Sequence, residues 1–143
     1  MMLKRKSGQR GVGVVEFALI LPIILVVLYG VFEFGLAFWR KQVLTSAVRE
    51  GARKGIVATN PRKTCTQVQD VVSAYLTNVG WDSSKGTYVA SGGCATGKAG
   101  DPLTVTADYP SGFLVLSKLG YSKTAVDGDG NIVLEATVVM QME

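Results

Sequence analysis

Residues 17–32 form a run of sixteen residues without a charged side chain, and this run constrains the fold more than any other part of the sequence. It lies within a longer apolar stretch, residues 12–39, whose only charged residues are Glu16 and Glu33. A helix over these positions is about 42 Å long, enough to cross a hydrocarbon core of about 30 Å. The sequence therefore predicts one transmembrane helix over residues 12–39.

Glu16 adds a cost to membrane insertion but does not prevent it. The twelve Leu, Ile, Val and Phe residues between Phe17 and Phe32 together favour insertion by roughly 5 kcal/mol. A charged side chain at the bilayer centre costs about 3 kcal/mol, and less near the end of a helix, where Glu16 lies. Glu16 is interpreted either as a carboxylate at the headgroups or as a group with a partner.

Basic residues flank the apolar stretch on both sides, so their distribution alone does not fix the orientation of the helix. The N-terminal basic cluster directly precedes the apolar run, which favours a cytoplasmic N-terminus. Cys65 and Cys94 are the only cysteines, and both lie downstream of the helix. An even pair in an exported domain favours a structural disulfide, so we expect a single-pass protein with a periplasmic C-terminal domain. A redox function for the pair is a minor alternative.

A motif stands at the start of the apolar stretch. The basic leader ends at Gly11, and Glu16-Phe17 follows five positions later. The elements EFAL with LP (16–22), EFG (33–35), AFW (37–39) and AVREGAR (47–53) come next. In this order they resemble the TadE-like family of minor pilins from tight-adherence, or Flp-type, pilus systems, over about the first 55 residues.

The resemblance implies a function and a set of partners. A prepilin peptidase would cut between Gly11 and Val12, and the mature chain would take part in assembly or initiation of an adhesive pilus. The implied partners are the major Flp-type pilin, a TadF-like minor pilin and the inner-membrane assembly platform, besides membrane lipid. The implied location is the bacterial inner membrane, with incorporation into an extracellular pilus as a further expectation. Glu16 and Phe17 are the expected assembly residues, with Glu16 pairing with the new amine of a neighbouring subunit.

The remaining charged positions of the first 55 residues are weaker candidates. Glu33 and Arg53 are interaction candidates, and Arg49 and Glu50 are expected either to pair with neighbouring subunits or to be solvated. Gly51 and Gly55 have a spacing that permits close helix approach, although fraying of the helix explains them equally well. Pro22, in the middle of the membrane segment, permits a bend.

The second half of the chain predicts a small α+β domain. Apolar residues at helical spacing predict a second helix over residues 66–79, capped by Thr64 or Thr66. Alternating residues predict strands over 87–90, 103–109 and 131–142, so we expect an antiparallel sheet packed on a helix. Pro110-Ser111-Gly112 favours a short helix or loop over the apolar residues 113–119. The predicted divisions are a leader (1–11), the transmembrane helix (12–39), its periplasmic extension and linker (40–60) and the α+β domain (61–143).

Catalysis and cofactor binding find little support. The chain has no histidine and no Gly-rich phosphate loop, which excludes histidine-based catalysis and most zinc sites. Asp127, Asp129 and Asn131 begin like a calcium loop, but Ile132 occupies the glycine position and Val138 that of the bidentate acid. We predict no enzyme activity, no metal, no cofactor and no nucleic-acid partner. The alternative to a pilin is an uncleaved signal-anchored protein with a periplasmic receptor or accessory domain.

Overall fold

The computed structural model describes residues 10–112 and 131–143. The first element is a single helix, α1 (Arg10–Ile56), which is 47 residues long and contains Pro22 in its interior. It ends at Ile56, within the segment predicted as its extension and linker (40–60). Arg10 and Gly11, the last two residues of the predicted leader (1–11), are the first two residues of this helix, and residues 1–9 lie outside the described residues.

The second helix, α2 (Cys65–Asn78), starts one residue earlier than predicted because Thr64 caps it. The Thr64 hydroxyl accepts a hydrogen bond from the Gln67 N–H at 3.2 Å, and the Gln67 side chain accepts one from the Thr64 N–H at 3.0 Å. This reciprocal pair is a capping box, which satisfies two backbone donors at the helix start. After α2 the chain turns at Gly80, whose φ is +83°, and forms a short 3-10 turn, Ser83–Lys85.

Within the described residues, three antiparallel strands form one sheet in the order β1-β2-β3. They are β1 (Thr87–Gly92), β2 (Pro102–Ser111) and β3 (Ile132–Gln141). The predicted end of the second strand at Tyr109 is two residues too early, because Pro110 and Ser111 continue β2 in register with Val133 and Ile132. Pairing with β3 keeps these two residues in an extended conformation, which the local sequence did not indicate. Residues 113–119, for which a short helix or loop is predicted, lie outside the described residues.

The core lies between one face of the sheet, α2 and the C-terminal part of α1. Alternate residues of β2, namely Leu103, Val105 and Ala107, are fully buried. α1 contributes a buried stripe at helical spacing, and α2 a second one. The buried apolar residues of the two helices are Leu44, Ala47, Val48, Ala52, Val68, Val72 and Leu76. The described fold is therefore α+β, as predicted, and α1 supplies part of its core.

Gly51 and Gly55 lie within this core, where α1 packs on α2 and β2. A Cβ on Gly51 would stand 2.5 Å from Val72 Cγ2, and one on Gly55 would stand 2.5 Å from Leu103 Cδ2. The two glycines thus permit close approach inside one chain, and the explanation by helix fraying is wrong.

Candidate assembly helix and its junction with the C-terminal domain

The N-terminal part of α1 stands clear of the domain. Every residue from 11 to 29 is exposed, although most of them are apolar. By length and composition this helix is able to cross a membrane, with a mean hydropathy of 2.7 over its most apolar eighteen residues. Since so much exposed apolar surface is unfavourable in water, lipid or neighbouring apolar helices must cover this segment.

Gly11 and Val12, the predicted cleavage position, lie in the first turn of α1. A Cβ added to Gly11 would meet no atom within 4 Å, and the same holds for Gly13. The backbone at this position is therefore open on the side that a side chain would occupy. Substitution of either glycine by alanine therefore creates no close contact with the residues that the structure describes.

Glu16 and Phe17 are also exposed on α1. Glu16 stands four residues after Val12, so the two lie one turn apart on the same face of the helix. A carboxylate and an amine at these positions would thus face the same side of the helix. Most of the Phe17 side chain is accessible.

Glu33 differs from the other residues of the apolar segment. Its side chain is 7% exposed, whereas its neighbours Phe32 and Phe34 are 63% and 56% exposed. The structure therefore places Glu33 and Glu16, the two carboxylates of the apolar stretch, in different surroundings. The sequence alone did not distinguish the surroundings of these two carboxylates.

An aromatic cluster of Trp39, Trp81 and Tyr109 joins α1 to the domain where the apolar stretch ends. The Trp39 and Trp81 rings meet edge to face with centroids 6.3 Å apart, and Trp81 and Tyr109 lie 4.6 Å apart. Such pairs contribute about 0.5 to 1.5 kcal/mol each beyond the area they bury. The Tyr109 hydroxyl also donates to the Asp82 carbonyl at 3.3 Å. The cluster fixes the turn after α2 and the end of β2 against the helix.

Two basic residues next to the cluster hold the sheet on α1. Arg40 donates to the Ser111 hydroxyl at 2.7 Å and to the Gly112 carbonyl at 3.2 Å. Lys41 donates to the Glu135 carbonyl in β3. Since all three acceptors are uncharged, none of these hydrogen bonds is an ion pair.

An open cavity of about 680 Å³ adjoins the cluster. Arg40, Trp81, Lys85 and Tyr109 are among the residues that line it, together with Asp82. The Asp82 carboxylate accepts hydrogen bonds from the Ser84 hydroxyl and N–H, which lower its pKa, and Lys85 lies 3.7 Å from it. The cavity thus combines aromatic walls with charges of both signs.

Farther along α1, Glu50 is the centre of a small charge network on the exposed face. Arg53 donates two hydrogen bonds to its carboxylate, at 3.0 and 3.3 Å, and Lys54 lies 3.7 Å away. The Arg53 hydrogen bond lowers the pKa of Glu50, although partial desolvation opposes it. Arg49 is exposed on the same stretch. These residues were predicted as interaction candidates, and no contact outside the chain tests that role.

Cys65 and Cys94 form a disulfide that links the start of α2 to the segment after β1. Their Cα atoms are 5.1 Å apart, a usual separation for such a bond. Within residues 10–112 and 131–143 there is no group of three or more His, Cys, Asp or Glu side chains that would hold a metal ion. Asp127 and Asp129 of the incomplete calcium pattern lie outside those residues.

Sequence reasoning missed the junction residues Trp39, Arg40, Lys41, Trp81 and Tyr109. One signal was available, because tryptophan at the end of an apolar helix is typical of a membrane interface. The contacts of Trp81 and Tyr109 depend on the fold, since they come from a turn and a strand far along the chain.

Residues 11–53 match the family model of TadE-like protein, which confirms the resemblance drawn from the motifs of this segment. The match begins at Gly11 and ends at Arg53, so it covers most of α1 and none of the sheet. Searches of curated proteins and of solved structures gave no match to this chain.

Proposed function

We propose that this chain is a minor pilin or pseudopilin that takes part in assembly or initiation of an adhesive Tad or Flp-type pilus. The observation that carries the proposal is the combination of a TadE-like match over residues 11–53 with an apolar segment that the domain does not cover. A helix of this kind is able to leave lipid and pack against other apolar helices with little loss of hydrophobic free energy.

In the proposed mechanism, a prepilin peptidase cuts the precursor between Gly11 and Val12. Both residues lie on an exposed helical turn, with open space around Gly11. The N-terminus of the precursor is cytoplasmic in this proposal and the domain is periplasmic, so the disulfide forms in an oxidising compartment. Cleavage creates a new amine at Val12.

Glu16 is proposed to pair with the Val12 amine of a neighbouring subunit. Two separate charges in an apolar fibre interior are expensive, whereas a pair is far less so, and the pair sets the axial register. The exposed position of Glu16 supports this role, since its side chain is open to a second helix. Phe17 would pack beside the pair.

Intact-mass measurement and N-terminal sequencing of the protein from its native membrane test the proposal. The expected mature chain begins at Val12. A chain that retains residues 1–11 contradicts processing and favours the signal-anchored alternative, in which the domain is a receptor or accessory module. Deletion of the gene should in addition abolish or reduce pilus formation, whereas normal pili in the deletion strain contradict a role in assembly.

A further inference from the structure

Between Trp39 and Leu44, α1 passes from the end of the apolar stretch into the domain core. Trp39 is the last residue of the apolar stretch and is exposed, while Leu44 is already fully buried in the domain core. Five residues of helix cover about 7.5 Å, so no spacer separates the apolar segment from the domain. If the apolar segment lies in a bilayer, one end of the domain must lie at the bilayer surface.

The contacts of α1 identify that end. Trp39 packs against Trp81, and Arg40 donates a hydrogen bond to Ser111, the last residue of β2. Tyr109 packs on Trp81 and bonds to the Asp82 carbonyl. We refer to Trp81, Tyr109 and residues 82–85 as the proximal end. The distal end is marked by Ile56, whose carbonyl accepts a hydrogen bond from the Glu143 N–H.

The proximal end has the composition of a membrane-interface surface. Tryptophan and tyrosine favour the headgroup level, because their rings are apolar on one side and polar on the other. Arg40 and Lys41 place two basic side chains there, and Lys85 faces Asp82 at 3.7 Å. Asp108 and Glu135, paired across β2 and β3, lie three residues farther from the β2 end.

We propose that the proximal end is seated in the phospholipid headgroup layer, with Trp81 at the same depth as Trp39. The occupant of this surface is the bilayer from which α1 emerges, and the cluster holds the domain upright on it. The inference requires membrane insertion of α1. It requires neither cleavage at Gly11 nor the formation of a fibre, so it is independent of the proposed function.

The lengths of α1 and β2 also give the distance of the distal end of the domain from the headgroups. Ile56 is seventeen residues beyond Trp39, which is about 25 Å of helix. Along β2, Thr104 is seven residues from Ser111, which is about 24 Å of strand. Val139 pairs with Thr104 and is exposed, so it lies well away from the headgroups.

The only two tryptophans of the chain are both in the cluster, so tryptophan fluorescence reports on this surface directly. The full chain is reconstituted into phosphatidylcholine vesicles that contain lipids brominated either near the headgroup or near the ends of the acyl chains. Trp39→Phe leaves Trp81 as the reporter, and Trp81→Phe leaves Trp39. Val139→Trp, made with both Trp→Phe changes, is the distal control.

We expect shallow bromines to quench Trp39 and Trp81 to a similar extent and more strongly than deep bromines, and the tryptophan at position 139 to keep its emission. Quenching of Trp39 without Trp81 overturns the proposal, because the domain would then stand off the surface. Equal quenching at position 139 also overturns it, because the domain would then lie flat. An unquenched Trp39 contradicts insertion of α1 to this depth.

A second distal reporter guards against a variant that does not fold. Val89 in β1 is exposed and pairs with Thr106, five residues from the β2 end. Val89→Trp, made like the Val139 variant with both Trp→Phe changes, should also remain unquenched. Circular dichroism and thermal unfolding verify that each variant has the fold of the unchanged protein. Strong quenching of this reporter in a folded variant contradicts the upright arrangement.

Discussion

The Val72 side chain of α2 occupies the space into which a side chain on Gly51 of α1 would extend, since a Cβ there would stand 2.5 Å from Val72 Cγ2. This contact lies inside the segment that matches the TadE-like family, at residues 11–53. One part of that segment therefore serves the fold of the domain, while residues 11–29 are exposed and open to lipid or to other subunits.

Gly51→Ala should destabilise the domain. Overpacking of a core costs about 1 to 3 kcal/mol, and the better helix propensity of alanine offsets about 1 kcal/mol of it. Gly35→Ala is the matched control, because a Cβ at Gly35 meets no atom within 4 Å. Denaturant unfolding in detergent, followed by tryptophan fluorescence, measures both variants. Equal stability of the two would show that Val72 moves aside without cost.

Gly11→Ala should block processing, so that the uncleaved precursor accumulates on a gel. Both Gly11 and Gly13 have open space where the new methyl group would lie, so neither substitution disturbs the fold. Gly13→Ala is therefore the matched control and should be cleaved. Unchanged cleavage of the Gly11 variant would remove the main support for this site.

Glu16→Ala should insert into the membrane normally but assemble poorly. Loss of the carboxylate removes a group that is exposed on α1 and is proposed to pair with a neighbouring subunit. Glu16→Gln keeps the shape and should fail in the same way, whereas Glu16→Asp should retain partial assembly. The measurements are membrane fractionation and counts of pili by electron microscopy. Normal pili in the Gln variant contradict the charge pair.

Reduction of the Cys65–Cys94 disulfide should destabilise the domain by about 3 to 4 kcal/mol, the value that the chain-entropy model gives for a separation of 29 residues. Denaturant unfolding of the protein with and without reductant measures this change. The variant with both cysteines replaced by serine should be as stable as the reduced protein and insensitive to reductant. If reductant also lowers the stability of that variant, the loss of stability has a cause other than reduction of this disulfide.

Arg53→Gln should raise the pKa of Glu50, because the Arg53 hydrogen bond is the largest cause of its lowering. A lowered folded pKa gives stabilisation that is present above the unfolded pKa, about 4.3, and is lost as the pH falls through the folded value. Carbon NMR titration of the Glu50 carboxyl measures the pKa directly. Arg49→Gln is the control and should leave it unchanged. An unshifted pKa in the Arg53 variant contradicts the assigned cause.

The elements of the second half were predictable because their signals are local. Helical spacing from Val68 to Leu76 and the Thr64 cap indicate α2, and alternation from Leu103 indicates β2. The end of β2 was not predictable, because Pro110 and Ser111 suggest a turn by themselves. Their extended conformation follows from pairing with Val133 and Ile132, which are more than twenty residues away.

The candidate site divides in the same way. The apolar stretch was recognised from the sequence because a membrane helix needs only continuous apolar sequence and its own backbone hydrogen bonds. The roles of Gly11 and Glu16 are implied by the resemblance to the TadE-like family and stay predictions. Sequence therefore determined the helix, its approximate limits and the family it resembles. The burial of Glu33 beside exposed neighbours, the packing of Gly51 and Gly55, and the contact of Trp39 with Trp81 were decided only by the tertiary structure. These features depend on which distant residues meet the helix, and that depends on the packing of the whole domain.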